Sequence, residues 1–149
     1  MSTHSATVSW KRTTKDFNYD TYDRTHQIQF EGGSKLTGSG AKEFLGKAEL
    51  ANPEEILAAA LSSCHMLTFL AVAARSHLTL DSYSDTAVAT LEKNAAGKLC
   101  VTKIVLTPKA TFSGEVPAME KVQQLHEKAH NNCFIANSVS CKVLIEPKL

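Results

Sequence analysis

The chain has 149 residues, four of them cysteine, and its 16 Lys and Arg nearly cancel its 15 Asp and Glu to leave a formal charge of +1. That length gives one domain, 1–149, with room for a real core, and excludes two independent ones. A hydrophobic content of 43% and a charged content of 21% suit a soluble globular protein, and no basic block or acidic tail concentrates charge. Neither nucleic acid nor an anionic membrane is therefore expected as the main partner.

The first twenty residues are polar and contain Lys11, Arg12 and Lys15 with no apolar run behind them. A secretory signal is not expected, so the expected location is cytoplasmic. In that reducing setting structural disulfides are rare, and a cysteine pair is more often catalytic or metal-binding.

Taken in chain order, residues 6–10 and 26–30 alternate as short strands, and Gly32-Gly33 closes the second with a turn. A Gly- and Ser-rich loop is expected over 38–46. Asn52 then offers an N-cap, Pro53 suits the first helical position, and Glu54 and Glu55 place carboxylates against the positive end of the helix dipole. From 56 to 74 nearly every residue is apolar or small, which predicts a helix buried on all sides. Ser62, Ser63, Cys64, His65 and Thr68 interrupt the run and argue against a membrane span. A helix about 33 Å long is hard to surround within so short a chain, so a second copy crossing it in an intertwined homodimer is expected. Two long strands are predicted at 80–92 and 99–111, joined by the turn Asn94-Ala95-Ala96-Gly97. A second helix runs from Pro117 to about Asn132 with Met119, Val122, Leu125 and Ala129 inward, and 143–145 forms a last strand. The class is α+β, helices packed on antiparallel sheet.

Cys100 and Cys141 lie in strand patterns among apolar neighbours and read as small core residues. Cys64, between Ser63 and His65 inside the apolar helix, and Cys133, just past the second helix, have more polar surroundings. A peroxidatic cysteine must be a thiolate, and the sulfenic acid it forms must be trapped by a second thiol. Two such cysteines suit that chemistry, although inert core cysteines fit the spacing too. His126, His130 and Cys133, at i, i+4 and i+7, could also join Cys64 and His65 in a zinc site, against the plainer reading of the two histidines as a partly exposed face beside Glu127 and Lys128. A third reading is a non-catalytic module that binds an apolar ligand along the helix.

Asn52-Pro53-Glu54-Glu55, with Ser63-Cys64 following ten residues after Glu54, resembles the first motif of the OsmC/Ohr peroxidases, and Ala129-His130-Asn131-Asn132-Cys133 with Asn137 and Ser138 resembles their second. The order of elements matches over nearly the whole chain. The resemblance implies an OsmC-like homodimer that reduces organic hydroperoxides without metal, flavin or other cofactor. It implies Cys64 as the peroxidatic and Cys133 as the resolving cysteine, Glu54 as the site glutamate, and re-reduction by an external dithiol such as a dihydrolipoyl protein. The site arginine falls on Arg24, with Arg12 as the other candidate, since the Gly-Arg-Asp-Gly signature of one branch is missing. Phe134 stands where the family usually has proline, and His65 where several members have phenylalanine. Glu54 and Cys64, ten residues apart on one helix, are separated by about 15 Å and about 80° of rotation. The expected remedy is an antiparallel crossing near Ala59 that brings Glu54 of one chain level with Cys64 of the other.

Overall fold

Short alternating strands and a glycine turn account for the start of the chain in the structure, a computed structural model that describes residues 1–148. The chain resolves into two units, Met1–Ile56 and Leu57–Leu149. In the first, β1 (Ala6–Ser9), β2 (His26–Phe30) and β3 (Lys35–Gly38) form an antiparallel sheet in that order. Val8 stands opposite Ile28, and Ile28 opposite Leu36, so apolar side chains line one face across all three strands. Gly33, at φ 90°, supplies the left-handed residue of the β2–β3 turn. The stretch expected as a loop contains a 3-10 turn at Lys42–Phe44. Gly46 is needed beside it, because a Cβ there would lie 1.6 Å from the Gly40 carbonyl oxygen.

Helix α1 (Pro53–Arg75) opens with a reciprocal cap. Asn52 Oδ1 accepts the Glu55 N–H at 2.9 Å, and the Glu55 carboxylate accepts the Asn52 N–H at 3.0 Å. The helix is long and apolar enough to cross a membrane by length and composition alone. Its Ala58, Leu61, His65, Phe69, Val72 and Ala73 nevertheless form a buried stripe in the core of the second unit. Burial on every side is not observed within one chain: Ala59, Ala60, Ser63, Ala71 and Ala74 are exposed, and Leu67 is 61% exposed.

In the second unit each of the two expected long strands breaks in two, into β4 (Leu80–Ser84) and β5 (Val88–Lys93), and into β6 (Leu99–Leu106) and β7 (Lys109–Phe112). Pro108 has no N–H for a ladder. Across from it Asp85 leaves the strand to accept the Thr107 N–H at 2.7 Å and the Ser62 hydroxyl. One hairpin thereby serves two sheets, β4 pairing with β7 and β5 with β6, both antiparallel. β8 (Lys142–Ile145) joins β6 in parallel with Val143 opposite Ile104, so this sheet is mixed where an antiparallel one was expected. Helix α2 (Met119–Asn132) starts two residues beyond Pro117. Phe69, Val72 and Ala73 of α1 pack with Val122, Leu125 and Ala129 of α2 in one apolar cluster; Ala58 and Leu61 pack with Cys133, Ile104 and Leu106 in a second. The two helices therefore run past each other in opposite directions.

Candidate active site

Cys64 sits half-buried on α1 against the second cluster, to which Cys133 contributes a fully buried side chain. Cys133 ends α2, its N–H donating to the His130 carbonyl at 3.2 Å. Cys133 itself is extended, and the turn that follows it brings the Ala136 N–H to Cys133 Sγ, at 3.5 Å. The two thiols are neighbours, Cys64 packing against the cluster that Cys133 helps to form. Burial pushes the Cys133 thiol up to about 11, the Ala136 N–H opposes that rise, and the adjacent Cys64 thiol adds to it. Cys133 is thus protonated at neutral pH and has an S–H to offer its neighbour. Residues 69 positions apart in sequence meet because α1 and α2 are antiparallel and Cys133 lies where the helix stops. All four cysteines are free; Cys141 packs against the same cluster, and Cys100 lies on β6 opposite Glu92.

The two histidines assigned to a partly exposed face separate. His130 is half-buried, but His126 is only 2% exposed and joins the core, because it occupies the place in the stripe 122, 125, 126, 129 that the helical period turns inward. It meets His65, which is 1% exposed, through an N···N hydrogen bond of 2.9 Å between His65 Nε2 and His126 Nδ1. The rings are 9° from coplanar with centroids 5.2 Å apart, so they lie edge to edge along the bond. Phe69 stacks on His126 at 4.1 Å. Burial lowers both imidazoles to about 4, with His130 adding to the shift at His65 and His65 to that at His126. Among the described residues no group of three or more His, Cys, Asp or Glu side chains converges as a metal site requires, so the zinc set does not assemble. The sequence carried a signal for this pair: His65 continues the α1 spacing 58, 61, 65, 69, and His126 that of α2.

Arg24 lies in the first unit, before β2. Its guanidinium donates to the Tyr22 carbonyl at 3.0 Å and the Tyr19 carbonyl at 2.8 Å, and stands 4.0 Å over the Tyr22 ring and 5.1 Å from the Tyr19 ring. Trp10 fastens this segment by donating its indole N–H to the Asp23 carbonyl at 2.6 Å, and Lys47 pairs with the Asp23 carboxylate at 2.8 Å. Trp10, Phe17 and Tyr22 pack ring against ring, and with Arg24 and Phe44 they line a cavity of about 550 Å³. Arg12 instead donates to the carbonyls of Thr14 and Lys15, at 2.6 Å each, and lines no part of this cavity. Of the two glutamates at the start of α1, Glu55 is taken up by the cap, whereas Glu54 has a buried Oε2 without a partner among the described residues. Arg24 and Glu54 form no ion pair with each other; the one found among the described residues is Lys47–Asp23.

A half-buried Cys64 beside a buried Cys133 in the second unit, and an aromatic arginine pocket on the N-terminal sheet, are the two features of this α+β fold that a family comparison has to account for. The OsmC-like protein family matches residues 46–148, and the chain belongs to it. It is similar to an OsmC-like protein of unknown function from Vibrio cholerae, with 45% identity, coverage of 99% of this chain and 100% of that one, and a TM-score of 0.94. The OsmC organic hydroperoxide resistance protein of Legionella pneumophila shares the fold at 19% identity, with 100% and 98% coverage and a TM-score of 0.77. The organic hydroperoxide resistance protein OhrB of Bacillus subtilis does so at 19% identity, with 98% coverage of both chains and a TM-score of 0.72. No curated protein matches the chain.

Proposed function

We propose that this protein is a cytoplasmic, cofactor-free thiol peroxidase that reduces organic hydroperoxides. The observation that carries this is the adjacency of Cys64 and the buried, protonated Cys133. The Cys64 thiolate attacks the outer peroxide oxygen; an S–O bond forms, the O–O bond breaks, and the departing alkoxide takes a proton to become the alcohol. Cys133 then attacks the sulfenic sulfur, water leaves, and a Cys64–Cys133 disulfide results. An external dithiol, for which a dihydrolipoyl protein has suitable chemistry, returns two electrons and restores both thiols. Family membership and the hydroperoxide resistance proteins among its structural neighbours support the reading.

In this reading Arg24 stabilises thiolate and peroxide charge, and its aromatic surroundings favour a bulky alkyl group. The exposed stripe of Ala59, Ala60, Ser63, Leu67, Ala71 and Ala74 supports a second copy crossing α1. Each site then takes Cys64 and Cys133 from one chain and Glu54, with Arg24, from the other. Four extra buried methylenes contribute about 3 kcal/mol, on the order of a hundredfold in kcat/KM for cumene hydroperoxide over hydrogen peroxide. Steady-state kinetics with both peroxides and a lipoyl dithiol test this, and equal efficiency would refute the pocket's role. Mixing Cys64→Ser and Glu54→Ala chains regenerates one intact site per heterodimer; heterodimers without recovered activity would exclude the shared site.

A further inference from the structure

The contact between α1 and α2 is apolar except at one point. Phe69, Val72 and Ala73 meet Val122, Leu125 and Ala129 without directional bonds, and such contacts hold helices together without fixing how far one slides along the other. The His65–His126 bond is the only hydrogen bond between the two helices among the described residues. A pair of leucines would fill the same space with no polar group to satisfy. The outer nitrogens, His65 Nδ1 and His126 Nε2, are buried without partners among the described residues, so the pair is a poor choice for stability alone. What it supplies is direction, as a single buried polar contact does when it sets helix register.

The position of that bond matters for the thiols. His65 follows Cys64 directly on α1, and His126 lies about two turns before Cys133 on the same face of α2. A disulfide needs Cα atoms about 4.4–6.8 Å apart, whereas a slip of one helical turn moves a residue by about 5.4 Å. A sliding α2 would therefore carry Cys133 out of reach of Cys64.

We infer that His65 and His126 are positioning residues, a register lock between α1 and α2 that keeps Cys133 within disulfide reach of Cys64. The inference rests on reading these cysteines as a redox pair, but not on peroxide turnover. Its test is the equilibrium between dithiol and disulfide in glutathione buffers, read by alkylation and mass spectrometry, alongside the melting temperature. The double variant His65→Leu/His126→Leu keeps the apolar packing and removes the lock. It is expected to melt close to wild type while its disulfide constant falls about tenfold, a rise in potential of about 30 mV. An unchanged constant in the folded double variant overturns the inference, since a merely structural pair would shift only the melting temperature. Should that variant not fold, His126→Gln decides, because its different arm holds a displaced register and an unchanged constant again overturns the lock. Variants that shift the constant in a protein that reduces no hydroperoxide leave the lock standing and sink the peroxidase. A wild-type chain that forms no Cys64–Cys133 disulfide overturns both.

Discussion

The two units hold their candidate site side chains by opposite means. In the first, the Arg24 guanidinium lies at a surface cavity, held by two carbonyls and two tyrosine rings, and among the described residues Ala41 is the only buried apolar side chain of that unit. In the second, Cys133, His65 and His126 are almost fully buried, and burial keeps all three uncharged at neutral pH. A permanent cation is affordable only where water and π faces solvate it, whereas thiol and imidazole can enter a core because each can shed its charge. On the proposed function, that division assigns substrate recognition to the first unit and thiol chemistry to the second.

Removing the chemistry gives the largest effect. Cys64→Ser eliminates the nucleophile and is expected to lower peroxide turnover by about 10⁴-fold or more. Cys133→Ser allows one turnover and then leaves Cys64 gaining two oxygens by mass spectrometry, as sulfinic acid. Equal, partial activity in both variants would contradict the division of roles. Next comes recognition: Arg24→Ala is expected to lower kcat/KM about 10²-fold, with Arg24→Lys failing to restore it because an ammonium lacks the planar fork. Arg12→Ala, in a residue that serves only its own loop, should stay within about threefold of wild type; a reversal of these two results would move the site arginine.

The buried imidazoles predict a pH effect on stability. An unfolded histidine takes up a proton near 6.5, whereas His65 and His126 resist it until about 4, so between those values the unfolded chain binds more protons. Stability is therefore full above pH 6.5 and falls as pH drops through that window. The groups facing the pair are His130, Asp85 and Tyr83. Urea midpoints measured from pH 7 to 4.5 should fall for wild type and fall less for His65→Leu/His126→Leu; parallel curves would assign the slope elsewhere. The smallest expected effect is at the start of α1, where Asn52→Ala breaks the reciprocal cap and costs about 1 kcal/mol, or about 2–4 °C in Tm, without a change in kcat.

Legibility in the sequence followed how local the cause was. The Asn52 cap of α1 and the Asn94–Gly97 turn come from neighbouring residues and stood in the sequence as the structure has them, whereas the expected all-round burial of α1 gave way to a single buried stripe. The breaks at Asp85 and Pro108 did not, because they depend on a bond between residues 22 apart and on strands choosing new partners. Parallel pairing of β8 leaves no local trace, since Val143, Leu144 and Ile145 suit either direction. His126 was legible by periodicity but was outweighed by its charged neighbours Glu127 and Lys128. Arg24 could be narrowed to two candidates from sequence; only the aromatic cavity separates it from Arg12.

Whether Cys64 and Cys133 form the redox pair is decided by one experiment that needs no reductant. Reduced protein is treated with one equivalent of cumene hydroperoxide, quenched in acid, and digested for mass spectrometry. The expected product has lost two hydrogens and yields a peptide that joins Cys64 to Cys133, with one cumyl alcohol released per disulfide. An unchanged mass, or a disulfide through Cys100 or Cys141, would contradict it.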